Sequence, residues 1–171
     1  MNPAAWQGPP RDVLGRPVPI QRFVARTGRA VVALQEVVAF PEGCLLMLLI
    51  AARRGSLEEP AWVRLHDETG LRFGVRFPDG SRATTAGNAF PGWAPATDRP
   101  APPMLVEGDG GASSDDRFYR GDQQLWLWPL PPPGPFEFLV EWPGMDLGVA
   151  ATTLDGDAIA RAAKLAEPYW P

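Results

Sequence analysis

Cysteine and histidine are the residue types that could form a nucleophile and its general base, and each occurs once, as Cys44 and His66. Such a pair is the minimum for thiol catalysis. Cys44, however, begins an apolar run, where a cysteine usually behaves as a small buried hydrophobic residue. His66 stands in a polar stretch beside Asp67 and Glu68. We therefore expect a buried thiol, a solvated loop histidine and no catalytic residues.

Carboxylates are the second candidate chemistry, as cation ligands. Asp109, Asp115, Asp116 and Asp122 fall within one short stretch, but their spacing is irregular and matches no EF-hand loop. One histidine and one cysteine are too few for a closed zinc site, which needs four ligands. We expect a solvated acidic loop at 109–122, with no metal site and no cofactor.

A pair of glutamates could act as general acid and base. Glu137 and Glu141 share the outward face of a predicted strand and stand about 13 Å apart at the usual strand rise. That separation exceeds what glycosidase carboxylates need. Pairing with Arg72 and Arg76 on a neighbouring strand is the simpler interpretation.

Two tryptophans, Trp126 and Trp128, lie on one face of another predicted strand. Such rings could stack on sugars or bases or anchor a protein partner. They could equally fill the protein's own core, which we favour because Leu125 and Leu127 opposite must also be covered. Residues 131–135 could be a polyproline ligand for an aromatic groove, and we favour a rigid connector.

Composition limits the function classes. The 171 residues fit one domain, and the net charge of −4 argues against a nucleic-acid binder. Lys164 is the only lysine among 16 basic residues, a bias typical of GC-rich coding sequences, and the arginines form no cluster along the chain. The single cysteine allows no intramolecular disulfide, and the longest apolar run, 44–52, is too short to span a bilayer. With no secretory signal visible in residues 1–10, we expect a cytoplasmic protein without membrane contact.

Apolar patterns position these residues on about seven to nine short strands. Residues 30–40 and 43–54 predict a hairpin, and its second strand is apolar on both sides, as is the segment 117–130. Residues 71–77 and 136–142 alternate cleanly, which places Phe73 and Phe138 in the core. The predicted fold is mostly β: an antiparallel β-sandwich of Ig-like architecture with one short C-terminal helix, although the Cys…Trp…Cys pattern of Ig domains is absent.

The predicted domain has three special segments. Residues 1–17 are a flexible Pro/Gly-rich arm before a single sandwich domain at 18–171. Residues 86–116 are a mobile loop with one strand at 104–107. Asp155 caps a helix of about residues 157–167, which Pro168 ends.

Five stretches are distinctive: the proline-rich run at 126–135, which is the most specific, and residues 30–43, 71–80, 141–143 and 170–171. Together they resemble a family of uncharacterised actinobacterial proteins of about this length. The resemblance covers most of the chain after Ala30. It implies a β-rich protein, and because no activity is established for the family it implies no function.

Two strands that are apolar on both sides need more cover than a two-layer sandwich supplies. We therefore expect a non-enzymatic module that binds a protein partner or self-associates as a homo-oligomer. The alternative is a carbohydrate- or small-molecule-binding protein, a hydrolase included, that uses a Trp-rich face and nearby carboxylates. The candidate binding residues are Trp126, Trp128, Met47 and Leu49.

Overall fold

A computed structural model describes residues 2–53, 70–85 and 101–171. His66 and residues 86–100 of the expected mobile loop lie outside this part of the chain. The described elements follow in the order β1 (Val13–Leu14), β2 (Arg16–Arg26), β3 (Ala30–Ala39), β4 (Cys44–Arg53), β5 (Arg72–Arg76), β6 (Arg82–Thr84), β7 (Met104–Ser114), β8 (Phe118–Trp128), β9 (Pro135–Trp142), a 3-10 turn (Pro143–Met145), β10 (Leu147–Asp155), α1 (Gly156–Ala163) and β11 (Glu167–Pro168).

Two antiparallel sheets form the sandwich, and the fold prediction is confirmed at this level. One has five strands in the order β2-β3-β4-β8-β7, and the other has four in the order β10-β9-β5-β6. A third, two-stranded sheet pairs β1 with β11, which brings the two ends of the chain together. An Ig-like relationship stays a prediction.

The two large sheets meet along both sides. On one side a parallel bridge joins Thr85, just after β6, to Leu105 of β7. On the other side Arg22 of β2 donates from Nη1 to Thr152 Oγ1 (2.9 Å) and to Thr153 O (2.8 Å) of β10. The five-stranded sheet is thereby held at both edges, and its inner face is closed.

The core between the sheets contains the residues that the alternating patterns predict. Phe73 is 2% exposed and Phe138 is fully buried, and their rings stack with centroids 6.1 Å apart. From the five-stranded sheet, β4 contributes every second residue, namely Cys44, Leu46, Leu48, Ile50 and Ala52. The prediction of Phe73 and Phe138 as core residues is confirmed.

The C-terminal helix is shorter than the sequence suggests. Asp155 caps it as predicted, since its carboxylate accepts from the backbone N–H groups of Asp157 (2.9 Å) and Ala158 (3.2 Å). The helix ends at Ala163, not near 167, because Glu167 enters the short ladder with β1. Ile159 and Ala163 pack into the sandwich core.

The expected loop at 86–116 also needs correction in its second half. β7 does not stop at Glu107 but continues to Ser114, past a bulge between Glu107 and Gly110. The glycine-rich stretch has no hydrophobic alternation, and it becomes a strand because it pairs with β8 along its length. No α-helix in the described ranges is long and apolar enough to span a membrane.

Replacing Phe138 by alanine should lower the free energy of unfolding by about 3–5 kcal/mol, because a buried ring is lost and a cavity remains. Urea denaturation followed by tryptophan fluorescence measures the change. Phe23, which is 54% exposed, is the matched control, and Phe23→Ala should cost less than about 1 kcal/mol. Equal losses in the two variants would contradict the assignment of sheet faces.

Candidate functional site

The outer face of the five-stranded sheet carries the residues that the sequence picks out for binding. Cross-strand partners share a face of the sheet. Leu45 of β4 stands opposite Trp126 of β8, so Met47 and Leu49 share the face of Trp126. The core-facing side chains of β4 are the alternate ones. The fold thus brings Trp126, Met47 and Leu49 to one face, turned away from the core.

The Trp126 end of this face is covered by the protein itself. Trp126 is 1% exposed, yet it does not belong to the core cluster between the sheets. Its indole Nε1 donates to the backbone oxygen of Ala5 in the N-terminal arm (2.9 Å), and its ring meets that of Phe40 edge-on at 5.9 Å. The arm, residues 2–12, therefore covers this end of the sheet.

Two glycines make the close packing at the covered end possible. A Cβ on Gly43 would lie 2.6 Å from the Trp126 ring, and one on Gly15 would lie 2.6 Å from Val38 Cγ1. Real Cβ atoms do not approach other atoms so closely, so side chains at these two positions would push the ring and the arm away. The arm itself is closed into a loop by a hydrogen bond from Asn2 Nδ2 to Asp12 Oδ1 (2.8 Å).

The middle of the same face is not covered by the arm, and we call it the open patch. It consists of half-buried or exposed apolar side chains on β2, β3 and β4, namely Phe23, Val31, Ala33, Met47, Leu49 and Ala51. Phe23 stands opposite Ala33, and Ala33 stands opposite Leu49, so one apolar row crosses three strands. Trp128 is half-buried opposite Met104, two residues beyond Trp126 and therefore at the covered end of the face.

Arginines surround the far end of the open patch. Arg26, Val31, Ala51 and Arg120 are successive cross-strand partners in one row of the sheet. A groove of about 550 Å³ lies at this end, and the arginines that line it are Arg26, Arg29, Arg53 and Arg117. The arginines form no cluster along the sequence, yet these four form one in the folded protein. These residues come from three separate hairpins or strand ends, and only the sheet register brings them together.

The glutamates of β9 are paired, as the simpler interpretation predicts. Arg76 Nε lies 2.7 Å from Glu137 Oε2, and Arg72 Nη2 lies 3.2 Å from Glu141 Oε2. Both pairs are direct cross-strand neighbours of β5 and β9. The outer face of the four-stranded sheet thus carries a ladder of ion pairs, whereas the five-stranded sheet presents apolar residues.

The acidic stretch 109–122 forms a hairpin and not one loop. Asp109 belongs to β7 and Asp122 to β8, while Asp115 lies in the turn and accepts from the backbone N–H groups of Arg117 (2.7 Å) and Phe118 (3.0 Å). Within the described ranges no three His, Cys, Asp or Glu side chains are placed so that they could hold a metal ion.

The proline-rich connector at 131–135 is attached to the fold. Leu130 N donates to Glu42 O (2.9 Å), Pro131 is buried, and Gly156 N donates to Gly134 O (2.8 Å). These contacts agree with a connector packed on its own domain.

No family model, curated protein or solved structure matches this chain.

The binding roles of Trp126, Trp128, Met47 and Leu49 stay predictions, and the structure separates them by accessibility. Met47 and Leu49 are half-buried in the open patch, whereas Trp126 is closed off by the arm. Sequence reasoning missed the arginines and also Phe23 and Phe118, which are exposed in the described part of the chain. The signal in the sequence was the apolar run of β4, which indicates that both faces of this sheet need to be covered.

Replacing Trp126 by phenylalanine should release the arm, because the indole N–H that binds Ala5 O is lost and the ring becomes smaller. Hydrogen exchange followed by mass spectrometry should then show faster exchange in residues 2–12, with β4 still protected. Trp128→Phe is the control and should leave the arm unchanged. Unaltered exchange in the Trp126 variant would mean that other contacts hold the arm.

The Cys44 thiol should resist modification in the native protein. Cys44 is fully buried, and burial raises the pKa of its thiol, so the reactive thiolate is scarce at neutral pH. A chromogenic disulfide reagent should label it only in denaturant. Ser113→Cys adds a thiol at an exposed position, and this thiol should react at once. The native variant should therefore contain one fast-reacting thiol and one unreactive thiol. Rapid labelling of native Cys44 would contradict the buried position.

Proposed function

We propose that this chain is a non-enzymatic protein-binding module and that its contact surface is the open patch. The observation that carries the proposal is an apolar row that crosses three strands on the outer face of the five-stranded sheet, Phe23, Ala33 and Leu49. Phe23 is 54% exposed, and its neighbours in the row are half-buried. Contiguous apolar surface of this kind is typical of interaction sites.

The composition of the patch and its rim supports the same proposal. Interface cores are apolar, and interfaces are enriched in arginine and aromatic residues and depleted of lysine. Here Arg26 and Arg120 flank the neighbouring row of Val31 and Ala51, and Arg26 lies over the Phe23 ring, 4.3 Å from its centroid. The row of Phe23, Ala33 and Leu49 ends at Asp122 on β8. The chain's only lysine, Lys164, lies beyond α1.

The contrast with the four-stranded sheet supports the choice of face. On the four-stranded sheet, the outward-facing Arg72 and Arg76 already form ion pairs with Glu141 and Glu137. The N-terminal arm covers one end of the five-stranded sheet and leaves the other end to a partner protein or a second copy of the chain. The carbohydrate-binding alternative needs open tryptophan rings, and Trp126 is 1% exposed. The proposal keeps the cytoplasmic location expected from the sequence.

Photo-crosslinking in cells tests this proposal. With a benzophenone side chain in place of Met47, we expect covalent capture of one defined partner, or of a second copy, identified by mass spectrometry. Val149 is the matched control position, because it is 56% exposed on an edge strand of the other sheet. Capture should fail there.

Two variants decide whether the capture depends on the patch. Leu49→Asp places a charge in the apolar row, and Phe23→Ser removes an exposed ring that the fold does not need. Each should reduce the crosslinking yield from position 47 at least several-fold while the urea midpoint of Phe23→Ser is unchanged. No capture from position 47, or equal capture from positions 47 and 149, would refute the proposed binding face.

A further inference from the structure

The groove at the far end of the open patch has walls of one charge sign. Among the described residues that line it, four are arginines and none is acidic: Arg26, Arg29, Arg53 and Arg117. Arg29 is neutralised in part by an ion pair with Asp146. Arg26, Arg53 and Arg117 are exposed, and none of the three forms a salt bridge within the described ranges. This concentration of positive charge stands out in a chain whose net charge is −4.

The base of the groove is apolar and continuous with the open patch. Val31 and Ala51 belong to both, and Phe118, which is 42% exposed, stands opposite Arg53 in the strand pairing. A ligand that fills the groove therefore meets apolar surface in the middle and guanidinium groups around it. Planar guanidinium groups suit carboxylates, which they bind in a bidentate way.

The spacing of the arginines indicates the size of the ligand. Arg26 and Arg120 occupy the same row of the sheet and are separated by β3 and β4. Three interstrand steps of about 4.8 Å place their Cα atoms roughly 14 Å apart. Two carboxylates four residues apart in an extended peptide are separated by about 13 Å, which matches the row.

We infer that this groove binds an acidic segment of the partner protein, in which carboxylates flank an apolar side chain. The inference rests on the proposed function, since it assigns the chemistry of the partner for the same face. The partner's apolar side chain packs on Val31 and Ala51. Its carboxylates pair with Arg26, which lines the groove, and with Arg120, which stands beside the groove at the other end of the same row. In a symmetric contact between two copies of the chain at this end, the arginines of one groove would face those of the other, and the like charges would repel. The charge of the groove therefore favours a different, acidic protein as the partner.

Peptide binding to the full chain tests the inference. The probes are fluorescein-labelled heptapeptides with aspartate at the first and fifth positions and an apolar residue at the third. Otherwise identical peptides with asparagine or lysine at the two charged positions serve as controls. Fluorescence anisotropy should give at least about ten-fold tighter binding for the aspartate series, because each Arg–carboxylate pair is a charge-assisted contact.

Charge-matched variants connect the peptides to this groove. Arg26→Gln/Arg120→Gln should remove the preference for aspartate. Arg11→Gln/Arg161→Gln removes two exposed arginines away from the groove and should preserve it. Three results would overturn the inference: equal binding of aspartate and asparagine peptides, equal losses in both double variants, or no carboxylate-dependent binding at millimolar concentration. Tighter binding of an oligothymidylate than of every peptide would replace the acidic peptide with a nucleic acid.

The two proposals fail in different ways. If crosslinking from position 47 succeeds in the wild-type chain and is unchanged in Arg26→Gln/Arg120→Gln, the binding face stands and the acidic partner is refuted. If crosslinking from position 47 fails in the wild-type chain, the binding face itself is refuted, whatever the peptides show.

Discussion

A β-strand that is apolar on both sides has to be covered on both sides, and β4 is the strand in this protein for which that requirement is strongest. Alternate residues of β4 enter the core between the sheets, from Cys44 to Ala52. The residues between them, such as Leu45 and Met47, face outward and cannot be reached by the four-stranded sheet. The other features of the fold follow from how this second side of β4 is covered.

The N-terminal arm solves part of that problem. Trp126 extends from the outer face and is held by Ala5 O, with Gly43 and Gly15 leaving space for the ring and the arm. The arm ends where β1 pairs with β11, so the C-terminal segment fixes the end of the arm. The open patch is the part of this face that the contacts of Trp126 with the arm leave accessible.

Charge is distributed in a way that complements this division. On the four-stranded sheet, arginines and glutamates stand directly opposite one another and form pairs within the fold. On the five-stranded sheet, Arg26 and Arg120 stand on either side of Val31 and Ala51 instead. The same residue type is therefore structural on one sheet and accessible on the other. The proposed partner is acidic for this reason.

The sequence alone determines those features that depend on local patterns. Period-two alternation places Phe73 and Phe138 in the core, Asp155 is a helix cap by its position, and the spacing of Glu137 and Glu141 matches that of Arg72 and Arg76. Each of these follows from side-chain direction along a single strand or from one helical turn. The side-chain directions and the cap hold whatever the order of strands, whereas the two ion pairs also need β5 and β9 to be neighbours.

Only the tertiary structure decides which elements become neighbours. Arg26, Arg53 and Arg117 are far apart in the chain and meet because β2, β3, β4 and β8 pair in one register. The glycine-rich end of β7 becomes a strand through pairing with β8, without any hydrophobic alternation of its own. Trp126 is buried under an arm 121 residues away in sequence. No local pattern contains such contacts, because their free energy arises between segments and not within them.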